Sequence, residues 1–140
     1  MTPNNLERFL EAQETSYETA LEEIRSGHKR SHWMWYIFPQ VHGLGFSPTA
    51  QRYAIQGADE AEAYLKHPVL GKRLLEISNA LMDIPNDDPT SVFGYPDDLK
   101  LKSSMTLFGT VQPENPLFQQ VLDKFYHGTK DAKTLQLLGN

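Results

Sequence analysis

The chain has 140 residues, 39% of them hydrophobic, no cysteine and a formal charge of −5. That length suits one domain able to bury about two thirds of its unfolded surface, and no apolar run approaches the roughly 20 residues that span a bilayer. The missing thiols exclude disulfides, thiolate zinc sites and cysteine nucleophiles, and the negative charge argues against a nucleic acid duplex as partner, because attraction to phosphate is driven by lysine and arginine.

The first residues, MTPNNLERFLEAQ, show no basic stretch followed by an apolar core, so no secretory signal is expected and a cytoplasmic protein without membrane attachment is the simplest reading. Leu6, Leu10, Gln13, Tyr17, Leu21 and Ile24 recur at three- and four-residue steps and predict an amphipathic helix. It ends at Ser26-Gly27, with a break admissible near Thr15-Ser16. Glu7, Glu11, Glu14, Glu18 and Glu22 follow one residue on, about 100° round the helix, and read as solvated surface.

Residues 29–47, KRSHWMWYIFPQVHGLGFS, hold both tryptophans, one tyrosine, two phenylalanines and two histidines. A helix is predicted from Lys29 to Phe38, stopped by Pro39, with Trp33 to Phe38 too apolar to leave a polar face. Aromatics this dense form either a core pillar or a ligand wall, and both readings stand. On such a helix Lys29, His32 and Tyr36 share one stripe at i, i+3 and i+7, beside Trp33. There Trp33 can stack on a planar ring while Lys29 meets a phosphate. His28 and His32 have the i, i+4 spacing of a metal pair, but no acidic ligand is nearby in sequence and no metal is expected.

Gln40 leads into His42-Gly43-Leu44-Gly45-Phe46-Ser47, and Ser47-Pro48 signals the start of a short helix through Ile55. Gly43 and Gly45 let the backbone approach a ligand closely. Two glycines and a serine equally suit a tight turn with an ordinary serine cap. Neither GxxxxGK[ST] nor GxGxxG occurs, so no cofactor is implied.

Asp59 and Glu62 predict a capping box opening a helix to about His67, and Pro68 starts the next, with Val69, Leu70, Leu74, Ile77, Leu81 and Ile84 inward. After the loop at residues 85–89 and one turn at residues 90–93, Pro96 opens a helix to about Phe108. In it Ser103, Ser104 and Thr106 crowd between hydrophobes, although hydroxyl residues are weak helix formers. They serve close helix packing or donate to a ligand beside Lys102. Asp97 and Asp98 suit a helix first turn, and Asp98–Lys102 is an expected i, i+4 ion pair; the functional alternative makes Asp98 a general acid/base. Asn115-Pro116 opens a helix to His127-Gly128, and Asp131 caps a last one. The expectation is an all-α, compact multihelical single domain over residues 1–140, with about seven to eight helices.

The blocks HWMWYIFPQ, GLGFS, HPVLGKRL and PDDLKLKSSMTLF, in this order through nearly the whole chain, resemble the Domain-of-Unknown-Function 1810 family. The resemblance implies a small all-α protein and leaves activity open. A calpastatin label carried by some members does not suit a chain without repeats, since such inhibitors are repetitive and disordered. A weaker likeness is to the NADAR family, helical proteins associated with ADP-ribose and N-glycosidic bond hydrolysis; no catalytic position aligns.

The leading expectation is a site for a phosphorylated or nucleotide-like small molecule, formed by Lys29, His32, Trp33, Tyr36 and Gln40, by Gly43, Gly45 and Ser47, and by Lys102, Ser103, Ser104 and Thr106. If the protein is an enzyme, Asp98 serves hydrolysis of an N-glycosidic bond. The alternative is a non-enzymatic helical interaction module whose blocks are its core. The two differ in whether these residues converge on one cavity.

Overall fold

A computed structural model describes residues 5–139, in which ten α-helices are joined by short connections and a lone parallel bridge pairs Val41 with Ile55. The predicted first helix is split into α1 (Glu7–Glu14) and α2 (Tyr17–Arg25), the break falling at Thr15 and Ser16. Phe9, Tyr17, Ala20, Leu21 and Ile24 face the core, and the five glutamates at positions 7, 11, 14, 18 and 22 face solvent. Gly27, at φ +84°, ends α2 in a conformation that costs glycine little.

The next segment departs most from expectation. Instead of a helix from Lys29 to Phe38, only α3 (Met34–Ile37) forms. The cause is Glu23, a buried acid on α2 that the hydrophobic pattern does not single out. Its carboxylate accepts from the backbone N–H of Arg30 (2.8 Å) and Ser31 (3.0 Å), the Ser31 hydroxyl (2.5 Å) and the Trp33 indole N–H (2.9 Å). The Lys29 N–H donates to the Val92 carbonyl. Residues 29–33 are thus wrapped round a charge, and long-range hydrogen bonds prevail over local propensity. The expected stripe of Lys29, His32 and Tyr36 does not exist as a helix face.

Ser47 caps α4 (Pro48–Arg52), its Oγ accepting the Ala50 N–H. The capping box expected at Asp59 and Glu62 is absent. Gly57 precedes α5 (Ala58–Lys66), and Glu60 turns inward to meet the buried Arg8 guanidinium at 2.9 Å. α6 (Leu70–Asp83) starts under His67, whose Nδ1 accepts the N–H groups of Val69 and Leu70. A Cβ on Gly71 would lie 2.1 Å from the Leu65 carbonyl oxygen, so α5 and α6 meet backbone to side. At the other end of α6, the Lys124 ammonium takes the carbonyls of Leu81, Met82 and Ile84.

Asp131 caps α10 (Ala132–Leu137) as expected, and Asp88, expected only as part of a loop, caps α7 (Pro89–Phe93). Between them run α8 (Asp97–Val111) and α9 (Leu117–Tyr126). The split at Thr15 and Ser16 and the one-turn α7 bring the number above the expected seven to eight.

α8 is the centre of the arrangement, touching α5, α7, α9 and α10. Seven of its residues between Leu101 and Phe108 are buried, so it presents no polar stripe along that half. Ser103 and Thr106 satisfy their hydroxyls within the helix, on the carbonyls of Leu99 (3.2 Å) and Lys102 (2.8 Å). Small side chains there let neighbouring helices come close; a Cβ on Gly109 would meet Phe118 at 3.3 Å. No helix among the described residues is long and apolar enough to cross a membrane.

Candidate functional site

Past α3 the chain turns at the buried Pro39, and two backbone hydrogen bonds clip the next residues to Ile55. The Ile55 N–H donates to the Gln40 carbonyl and the His42 N–H to the Ile55 carbonyl, each at 2.8 Å. The 43–47 loop is then laid between α4 and α10. Gly43 sits at φ +107°, with Leu137 where a side chain would begin, and a Cβ on Gly45 would lie 2.7 Å from that of Ala50.

This loop faces the first two turns of α8 across a solvent-open groove of about 390 Å³. Trp35 forms one wall. Gln40, Ser47, Lys100 and Ser103 contribute polar groups, and Phe46 and Leu99 form an apolar edge. Phe46 is 80% exposed and Leu99 51%, and Tyr95, 78% exposed, precedes the lining Pro96.

The charges are arranged in a chain. The Lys100 ammonium lies 4.8 Å from the Trp35 ring centroid and 3.2 Å from the Asp97 carboxylate. Asp97 also meets Lys29 at 2.9 Å, and Lys29 in turn lies 5.1 Å over the Trp33 ring. Ser47 accepts the Ala50 N–H through its oxygen, which leaves its own proton to be donated elsewhere.

Of the residues singled out in the sequence, the groove gathers Gln40, Gly45, Ser47 and Ser103, and Gly43 shapes the loop. Lys29 stands behind the wall, reaching it through Asp97. Trp33 is 1% exposed with its N–H on Glu23, so it is a core pillar and offers no face to a ligand. Tyr36 donates to the Ser16 hydroxyl and packs on Tyr53, away from the lining. His32 is exposed and does not line the groove.

Lys102 lies over the Tyr126 ring at 5.9 Å, and Ser104 is fully buried with its hydroxyl unpartnered. Thr106 receives the Asp131 N–H at 2.9 Å and borders a smaller cavity of about 180 Å³ on the far side of α8. Asp98 is 8% exposed, accepting from the Thr90 hydroxyl (2.7 Å) and the Leu99 N–H (2.9 Å). It ties α7 to α8 and does not line the groove. The expected pair with Lys102 is not formed; Asp97 carries the ion pairs instead.

Trp35, Lys100, Phe46 and Leu99 were not singled out by the sequence. One signal for Lys100 was present, since Asp97, Lys100 and Ser103 fall at i, i+3 and i+6. Nothing comparable distinguishes Trp35 from Trp33.

The sequence pattern of a family described as "Protein of unknown function (DUF1810)" matches residues 3–138. The chain belongs to the DUF1810 family. Over 99% of both chains it superposes with a TM-score of 0.96 and 46% identity on the crystal structure of the conserved hypothetical protein Rv1873 from Mycobacterium tuberculosis. No curated protein matches it. The DUF1810 blocks have separate physical duties in this chain. HPVLG supplies the His67 cap and the Gly71 crossing, whereas HWMWYIFPQ supplies both the pillar Trp33 and the groove wall Trp35.

Proposed function

We propose that this DUF1810 protein binds a small molecule in the groove between the 43–47 loop and α8, with a planar part of the ligand against Trp35. The observation that carries this reading is the cavity itself. Its volume of about 390 Å³ falls in the range of ligand sites, and one aromatic wall and four polar side chains from separate parts of the sequence converge on it. A nucleotide-like ligand fits that combination of ring wall and hydrogen-bonding groups. The proposal is one of binding: the lining includes no carboxylate or imidazole to act as acid or base. Glycosidic hydrolysis here would fall to Asp97, which pairs with the lining Lys100, rather than to Asp98.

The test is binding of adenosine, adenosine 5′-monophosphate, ADP-ribose and NAD, followed by thermal shift and by tryptophan emission in a Trp33→Phe background, where Trp35 is the remaining indole. Saturable quenching that disappears in Ser103→Trp, which fills the groove, supports the reading. Absence of a response to every compound overturns it. A second reading rests on the exposed Phe46, Tyr95 and Leu99, whose apolar rim suits docking of another protein; it gains if Phe46→Ser abolishes association with a partner while small molecules remain without effect.

A further inference from the structure

Resting on that reading, we infer that the groove selects an anion: a heteroaromatic ligand with one negatively charged group, received by Lys100. The lining contains a single charged side chain, Lys100, and no acid. The neighbouring charges leave that ammonium in surplus. Asp97 is its one carboxylate partner, at 3.2 Å, and is shared with Lys29, which is buried and closer at 2.9 Å. Two ammonium groups thus stand against one carboxylate. Asp98, beside Asp97 in the chain, accepts from Thr90 and does not line the groove.

Donors accompany the charge. The Ser47 oxygen accepts the Ala50 N–H while its O–H donates to no acceptor among the described residues, where the Gln40 side chain likewise makes no hydrogen bond. A ligand anion can therefore accept from Lys100, Ser47 and Gln40 while its ring lies along Trp35. Asp97 is the internal counter-ion that the ligand displaces from Lys100, with Lys29 left to hold it. Because Lys29 stays paired, removal of the Lys100 charge leaves no buried ion alone.

The experiment compares adenosine with adenosine 5′-monophosphate by isothermal titration at low salt, in the natural protein and in Lys100→Met and Lys100→Arg. The monophosphate is expected to bind about tenfold tighter, the scale of a hydrogen bond to a charged group. Within Lys100→Met the two compounds should bind equally, within Lys100→Arg the monophosphate should keep its preference, and added potassium chloride should narrow it. Equal binding of the two compounds in the natural protein overturns the inference and leaves the groove reading intact, as does a preference that survives Lys100→Met. Binding of neither compound, nor of ADP-ribose or NAD, overturns both. Far-UV circular dichroism and the melting temperature of each variant establish that a lost preference is not lost folding.

Discussion

Glu23 shows how a single side chain redirects a segment. Burial by itself raises a carboxyl pKa, but donation from the Ser31 hydroxyl, the Arg30 N–H, the Trp33 indole and the Ser31 N–H outweighs it and holds the group at about 2, against an ordinary 4.5. The unfolded chain thus takes up this proton at higher pH than the folded one. The stabilisation is complete above pH 4.5 and is lost as pH falls toward 2. At about 1.4 kcal/mol per unit it amounts to about 3 kcal/mol. Glu23→Gln is expected to lose most of this at neutral pH and to flatten the acid limb of stability, measured by urea unfolding at a series of pH values. Ser104 gives the opposite sign. Its hydroxyl is buried without a partner, so Ser104→Ala in α8 should be neutral or stabilising by up to about 1 kcal/mol, read as a higher urea midpoint. Neither behaviour is legible from the sequence. Glu23 lies one residue off the glutamate stripe at positions 7, 11, 14, 18 and 22, next to the inward Ile24, and only the fold reveals four donors around it.

At the scale of elements, punctuation was readable and direction was not. Proline, glycine and the Ser47 and Asp131 caps mark most helix starts, because these act through the backbone of their own few residues. Residues 29–33 escape that logic, since their partners lie on α2 and at Val92. With only four residues in α3, no helical wheel could assign Trp33 to the core and Trp35 to the groove. Contact between elements has its own expected outcome at Gly71. A methyl group there would fall 2.1 Å from the Leu65 carbonyl, backbone that cannot rotate aside. Gly71→Ala should therefore force α5 and α6 apart and cost about 2 kcal/mol or more, outweighing alanine's better helix propensity. Thermal unfolding checks it; a melting temperature at or above that of the natural protein would show the crossing to be looser than the distance states.

Across the molecule, one hydrophobic cluster runs from Phe9 on α1 to Phe125 on α9. Unfolding in urea should accordingly be one transition, with far-UV circular dichroism and the combined emission of Trp33 and Trp35 giving coincident midpoints; separated midpoints would divide the chain into two units. The all-helical class was legible from the 3.6-residue periodicities. The groove was legible in part: the sequence pointed to a glycine loop opposite Ser103, and the missing partners were side chains whose direction depends on tertiary contacts. The burial of α8 has a dynamic consequence. The helix that forms one bank of the groove is also the one against which α5, α7, α9 and α10 rest. A molecule seated beside Ser103 would grip the chain at its least yielding part, and its binding energy would be distributed through that spine. Slowed amide hydrogen exchange should then extend into α5 and α9, well beyond the residues the ligand touches.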